Sequence, residues 1–161
     1  MSEPKKVTIY TDGACLGNPG PGGYGVVLLY GGLRKELSGG FRLTTNNRME
    51  MMAVIVGLQA LKEHCSATVC SDSQYVVRTI DEGWAVKWRA NNWKRNKKEK
   101  AVNADLWEQL LDLCDKHEVK MVWVRGHSGV KENERCDELS VAAAKQHDLA
   151  IDEGYESTLS R

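Results

Sequence analysis

The chain has 161 residues, 42% of them hydrophobic and 27% charged, enough for one well-packed core and too few for two comfortable domains. Its 22 Lys and Arg balance its 22 Asp and Glu, so total charge does not point to a polyanionic partner as a basic domain would. No run approaches the roughly 18 apolar residues of a membrane span, and no apolar stretch of signal-peptide type follows the polar opening at residues 1–6; a single soluble, cytoplasmic domain is expected.

From the N-terminus, residues 7–13 read as a short apolar strand that runs into an aspartate, and residues 24–43 as two further strands joined at Gly31-Gly32. Three sequential strands predict an antiparallel meander. The pattern then turns helical over 49–61, with Met49, Met52, Ala53, Val56 and Ala60 on one stripe. A strand at 67–72, a short helix from about Gln74 and a Trp-rich basic segment follow. Next come a helix with Trp107, Leu110, Leu111 and Cys114 on one face, a strand at 119–124 and a last helix over about 133–146. Strands alternating with helices after a meander predict an α/β fold: a five-stranded mixed sheet with helices on both faces, parallel where helices cross over. Residues 1–6 and about 147–161 are polar enough to be expected to fray.

Two strands close alike, "VTIYTD" and "ATVCSD". In a parallel pair those ends share one edge of the sheet, the edge where open α/β sheets bind ligands, so Asp12 and Asp72 are expected side by side. Taken singly, each could equally cap a turn or helix. Glu50 is the only charge in 49–61, a segment apolar around nearly its whole surface. An unpaired carboxylate buried there costs several kcal/mol, so it must be neutralised, paired or bound to a metal. Its neighbour Arg48 does not face it on a helix, which favours a metal. Asp137, near the start of the last helix, is also explained by the helix dipole. Four converging carboxylates are hard oxygen ligands suited to Mg²⁺ or Mn²⁺. Zinc is disfavoured: Cys15, Cys65, Cys70, Cys114 and Cys136 form an odd count without a CxxC pair, which also excludes a disulfide framework.

Gly20-Pro21-Gly22-Gly23-Tyr24-Gly25 is a literal GxGxxG. That fingerprint must open a helix, and "VVLLY" after it reads as a strand, so a tight turn is expected there instead of a dinucleotide site. Lys87, Arg89, Lys94, Arg95, Lys97, Lys98 and Lys100 lie together with one acid, Glu99, leaving the remainder of the chain net acidic. Trp84 and Trp88 within this region are spaced to share a helix face and could simply anchor it. His64, His117 and His147 read as ordinary surface histidines.

The blocks "TDGACLGNPGPGGYG", "TTNNRMEMMA", "SDSQYV", "WVRGHSG" and "NERCDELS" resemble, in order and over about residues 7–145, those of bacterial ribonuclease HI, the type 1 ribonuclease H family. The resemblance implies a ribonuclease H-like fold in one domain spanning 1–161. It also implies hydrolysis of the RNA strand of RNA/DNA hybrids without strong sequence specificity, leaving 5′-phosphate and 3′-hydroxyl ends. Asp12, Glu50, Asp72 and Asp137 fall on the catalytic, metal-holding carboxylates, with two Mg²⁺ ions (Mn²⁺ as substitute) about 3.5–4 Å apart when substrate is bound. His127 falls on a proton-transferring histidine. Cys15, Asn18, Thr45, Asn46, Asn47 and Gln74 fall on substrate contacts, where donor-acceptor side chains can read the 2′-hydroxyl. Trp84, Lys87, Trp88, Lys94, Lys97 and Lys98 fall on a basic protrusion that grips the DNA strand, although the Asp72-to-Trp84 spacing is one residue longer than in the family. A monomer is implied. A strand-transfer nuclease on the same fold, a hybrid-binding module without catalysis and a nucleotide-binding metabolic enzyme are the competing readings. The four acids with "GHSG", all present, argue against the first two, and the third rests only on the glycine run.

Overall fold

A computed structural model of the chain describes residues 3–126 and 129–160. The elements in chain order are β1 (Lys5–Cys15), β2 (Gly20–Tyr30), β3 (Leu33–Thr44), α1 (Asn46–Gln59), β4 (Cys65–Ser71), α2 (Gln74–Asp81) and α3 (Trp84–Ala90). After them come α4 (Ala104–Lys116), β5 (Glu118–Trp123), α5 (Lys131–Ala144), α6 (Glu153–Glu156) and a 3₁₀ turn at Ser157–Ser160. The five strands form one sheet in the order β3-β2-β1-β4-β5. β1, β2 and β3 pair antiparallel, while β1-β4 and β4-β5 are parallel, so the expected mixed sheet is borne out. Among the described residues no helix is long and apolar enough to cross a membrane.

The glycine run is not a turn. β2 begins at Gly20, and Gly22, Gly23 and Gly25 pair with Cys15, Ala14 and Asp12 of β1. Consecutive positions on a strand face opposite sides of the sheet. A Cβ on Gly22 would strike Thr44 and Met49 on the α1 side, and one on Gly23 the Ser140 carbonyl of α5. Glycine therefore lets two helices press on opposite faces of one strand. It carries no hydropathy, which hides the strand from a periodicity reading.

α1 and α4 cover one face and α5 the other. Between α1, α4 and the sheet lie Ile9, Val26, Met51, Val54, Ile55, Leu58, Val69, Trp107 and Leu110, all fully buried. α1 starts three residues before its apolar stripe because the Thr45 hydroxyl caps it, accepting the Arg48 amide at 3.3 Å.

The chain beyond His147, expected to fray, is tied down. Ala150 bridges Phe41 and accepts the Arg42 amide at 2.9 Å. Asp152 is buried, where it takes the Thr44 hydroxyl at 2.7 Å and the Arg48 guanidinium at 2.8 Å. Polar composition predicts a loose end only when the polar groups lack distant partners, and here they have them.

Candidate active site

β1 and β4 run in register from Lys5↔Cys65 to Thr11↔Ser71, so the next residue of each, Asp12 and Asp72, emerges at the same edge. Buried Thr11 donates its hydroxyl to the Cys70 carbonyl at 3.2 Å and locks that edge. Past it, Ser73 caps α2 by accepting the Val76 amide at 3.2 Å, while the Trp123 indole holds the Asp72 carbonyl at 3.2 Å. Glu50 arrives from α1. The Gly13 amide donates to both the Asp12 and Glu50 carboxylates, and a side chain at Gly13 would collide with the α1 backbone at Met49 and Glu50. Ligand oxygens of Asp12, Glu50 and Asp72 all lie within 4.8 Å of one another. Asp137, from α5, lines the same cleft but stands outside this tight triplet.

Asp12 and Glu50 are buried. Burial, then the Asp72 charge, pushes the Asp12 carboxyl up to about 7, against the opposing pull of its hydrogen bonds to Glu50 and Gly13. Burial, then Asp12 and Asp72, pushes Glu50 well above the usual carboxylate range. Arg48 is no partner for Glu50: its guanidinium is clasped by Asp105 at 2.7 Å and Asp152 at 2.8 Å. Three oxygen donors, two of them desolvated and mutually repelling when ionised, thus crowd together, and this donor set fits a hard divalent cation.

Cys15, Asn46, Asn47 and Gln74 line the cleft with the acids, joined by Ser73 and Tyr75. The Cys15 thiol donates to the Gly20 and Thr44 carbonyls at 3.3 and 3.4 Å. Asn18 accepts the Asn46 amide at 3.1 Å, and with Thr45 it edges a neighbouring depression that shares Asn47. A groove bearing Trp84, Trp88 and Arg95 opens from the cleft across Asn47 and Tyr75. Lys87, Lys94, Lys97 and Lys98 are exposed on the protrusion and do not reach the acids. Tyr75 and Arg95 were not singled out from the sequence, though one follows Gln74 in a matching block and the other sits inside the basic run. His127 lies outside the described residues. His117, read as a surface histidine, is buried far from the cleft and accepts the Cys65 amide on Nδ1 at 3.1 Å.

A mixed α/β sheet that delivers clustered carboxylates to the ends of adjacent parallel strands defines an α/β hydrolytic enzyme with an acidic, cation-binding centre. More particularly, the chain belongs to the RNase H family, which it matches over residues 4–145, and its activity is that of a divalent-metal-dependent nuclease. It is 68% identical over 151 residues to a Ribonuclease H of Syntrophus aciditrophicus, covering 94% of this chain and 87% of that one. It is 56% identical over 155 residues to Ribonuclease HI of Synechocystis, covering 96% and 97%. Among solved structures it is similar to LC9-RNase H1, a type 1 RNase H with the type 2 active-site motif, at TM-score 0.80 and 31% identity, covering 100% of this chain and 83% of that one. It is also similar to LC11-RNase H1 in complex with an RNA/DNA hybrid, at TM-score 0.66 and 25% identity, covering 92% and 99%.

Proposed function

We propose that the chain is an endonuclease that hydrolyses the RNA strand of RNA/DNA hybrids without strong sequence specificity, leaving 5′-phosphate and 3′-hydroxyl ends. The observation that carries this reading is the convergence of Asp12, Glu50 and Asp72, with ligand oxygens within 4.8 Å, in a cleft continuous with a groove bearing Trp84, Trp88 and Arg95. The hybrid found with LC11-RNase H1 supports the substrate class. The metal set is Asp12, Glu50, Asp72 and Asp137, taking Mg²⁺ with Mn²⁺ as substitute, two ions once substrate phosphate adds its oxygens. Cations held there would neutralise the phosphate and stabilise the attacking water and the leaving oxygen.

The chain's own residues do the positioning. Gly13 orients the Asp12 and Glu50 carboxylates through its amide. Cys15, Asn46, Asn47 and Gln74 present donors and acceptors along the cleft, where a ribose 2′-hydroxyl distinguishes RNA from DNA. Asn18 and Thr45 hold the start of α1 in place for them. Trp84 and Trp88 offer apolar contact, and Lys87, Lys94, Lys97 and Lys98 bind the DNA backbone without reading sequence. His127, assigned on its "GHSG" motif, accepts or passes a proton. The enzyme acts as a cytoplasmic monomer, one domain across 1–161.

The test offers labelled RNA/DNA, RNA/RNA and DNA/DNA duplexes with Mg²⁺ to the wild type and to Asp12→Asn. Cleavage of RNA in the hybrid alone, abolished in the variant, is expected. Equal cleavage of DNA/DNA would refute the substrate assignment.

A further inference from the structure

Three glycines near the acids are there for three different reasons. Gly13 lets α1 approach, since a side chain there would strike backbone at Met49 and Glu50. Gly129 has φ +85°, a left-handed conformation that favours glycine, and among the described residues nothing lies within 4 Å of where its Cβ would stand. Gly126 fits neither case. Its φ is not positive, so its backbone would accept an L side chain. What a Cβ there would meet is the Asp72 side chain, with Oδ2 at 3.0 Å and Cβ and Cγ at 3.7 Å.

The main chain beneath that carboxylate is already held. The Ser71 carbonyl accepts the Val124 amide at 2.9 Å, the Ser71 hydroxyl accepts the Ser73 amide at 3.1 Å, and the Trp123 indole donates to the Asp72 carbonyl at 3.2 Å. Trp123 pairs with Ser71 at the last step of β4 and β5 and is 45% exposed, so its hydrogen bond does more at this strand end than its burial does. With the backbone fixed, the freedom left to Asp72 is in its side-chain torsions, and Gly126 stands beside the oxygen they move. A cation of the Mg²⁺ type demands near-octahedral geometry with ligand distances of about 2.0–2.1 Å. A side chain at Gly126 that pushed this oxygen aside would therefore be felt in metal affinity.

We propose that Gly126 and Trp123 are positioning residues for the cation centre: Gly126 leaves Asp72 Oδ2 the room a methyl group would take, and Trp123 anchors the carbonyl of the same residue. The proposal rests on the reading of Asp72 as a metal ligand. The atom closest to a Cβ at Gly126 is the tip of the Asp72 side chain and not backbone, so a substitution there displaces the ligand and leaves the fold in place. The first glycine of "GHSG" is thereby assigned to the metal and the last to the backbone.

Calorimetric titration of the metal-free full chain with Mn²⁺ tests this. Gly126→Ala is expected to weaken binding about tenfold, the scale on which groups supporting a metal ligand act, and Gly126→Val more. Trp123→Phe, which keeps an aromatic ring and drops the N–H donor, should weaken it about threefold. Circular dichroism should show all three folded. Gly129→Ala should do the reverse, lowering the midpoint of urea unfolding while Mn²⁺ affinity stays within about twofold. In hybrid cleavage, raised Mn²⁺ should restore the kcat of Gly126→Ala, with KM for the hybrid within about twofold of wild type. The proposal is overturned if Gly126→Ala binds Mn²⁺ as the wild type does, if added metal fails to restore its kcat, or if Gly129→Ala loses affinity equally. Wild-type affinity in Trp123→Phe would overturn the part given to the indole. Asp72→Asn separates this proposal from the reading beneath it: binding retained there would overturn both, whereas binding lost there but unchanged in Gly126→Ala would overturn the positioning alone.

Discussion

Two clusters of charge, each centred on a buried side chain, begin two residues apart on α1 and are built on opposite principles. Arg48 is matched by Asp105 and Asp152 at 2.7 and 2.8 Å. Its balance ties α1 to α4 and to the chain's last segment. Glu50 has for company Asp12 and Asp72, which repel it. The first cluster is complete within the protein. The second is left incomplete, and the free energy of holding its charges apart from water is what a divalent cation can recover.

The largest difference between the clusters should lie in activity. Asp72→Asn removes one of the crowded carboxylates and is expected to lower hybrid cleavage at least about 10³-fold, some 4 kcal/mol in the barrier, with folding intact by circular dichroism. The matched cluster should behave inversely: Arg48→Met strands Asp152 without its partner and should cost about 3 kcal/mol of stability in urea unfolding, with cleavage by the folded fraction far less affected. If Arg48→Met left stability unchanged, the clasp would not be holding the C-terminal segment.

A smaller effect separates the clusters by pH. Folded Asp12, pushed up to about 7, keeps its proton over a range in which the unfolded chain has lost it. The folded state then binds more protons, so in metal-free protein this site's contribution to stability falls as pH rises from about 4 to about 7. Asp12's share of the change is on the order of 4 kcal/mol and is constant outside that window. Asp12→Asn should flatten this part of the urea-unfolding profile, and Mg²⁺ at neutral pH should restore what the wild type loses. A profile unaffected by either would contradict the burial and repulsion assigned to the cleft. Smallest is the effect of the protrusion: neutralising Lys94, Lys97 and Lys98 should reduce the salt slope of hybrid binding by about two to three and leave the rate at saturating substrate within about threefold.

The unbalanced cluster was the more legible of the two. Asp12 and Asp72 each close an apolar strand, and Glu50 is the lone charge on an apolar helix; both signals are local, so a sequence displays them. The balanced cluster was not legible, because its partners stand 57 and 104 residues from Arg48 and an ion pair leaves no periodicity. That is why the segment beyond His147 read as loose and is in fact docked. The strand at Gly20–Tyr30 was half hidden for another reason: its first positions are glycines chosen for the close approach of α1 and α5, and glycine has no side chain to alternate. The basic protrusion announced itself by composition, but its groove, which needs Tyr75 and Asn47 from other elements, did not.

Titration of metal-free protein with Mn²⁺, followed by electron paramagnetic resonance, tests the unbalanced cluster most directly. Saturable binding by the wild type, lost in Asp72→Asn and retained in Gly129→Ala, is the predicted result. Equal Mn²⁺ uptake by the wild type and Asp72→Asn would mean that the crowded carboxylates do not hold the cation.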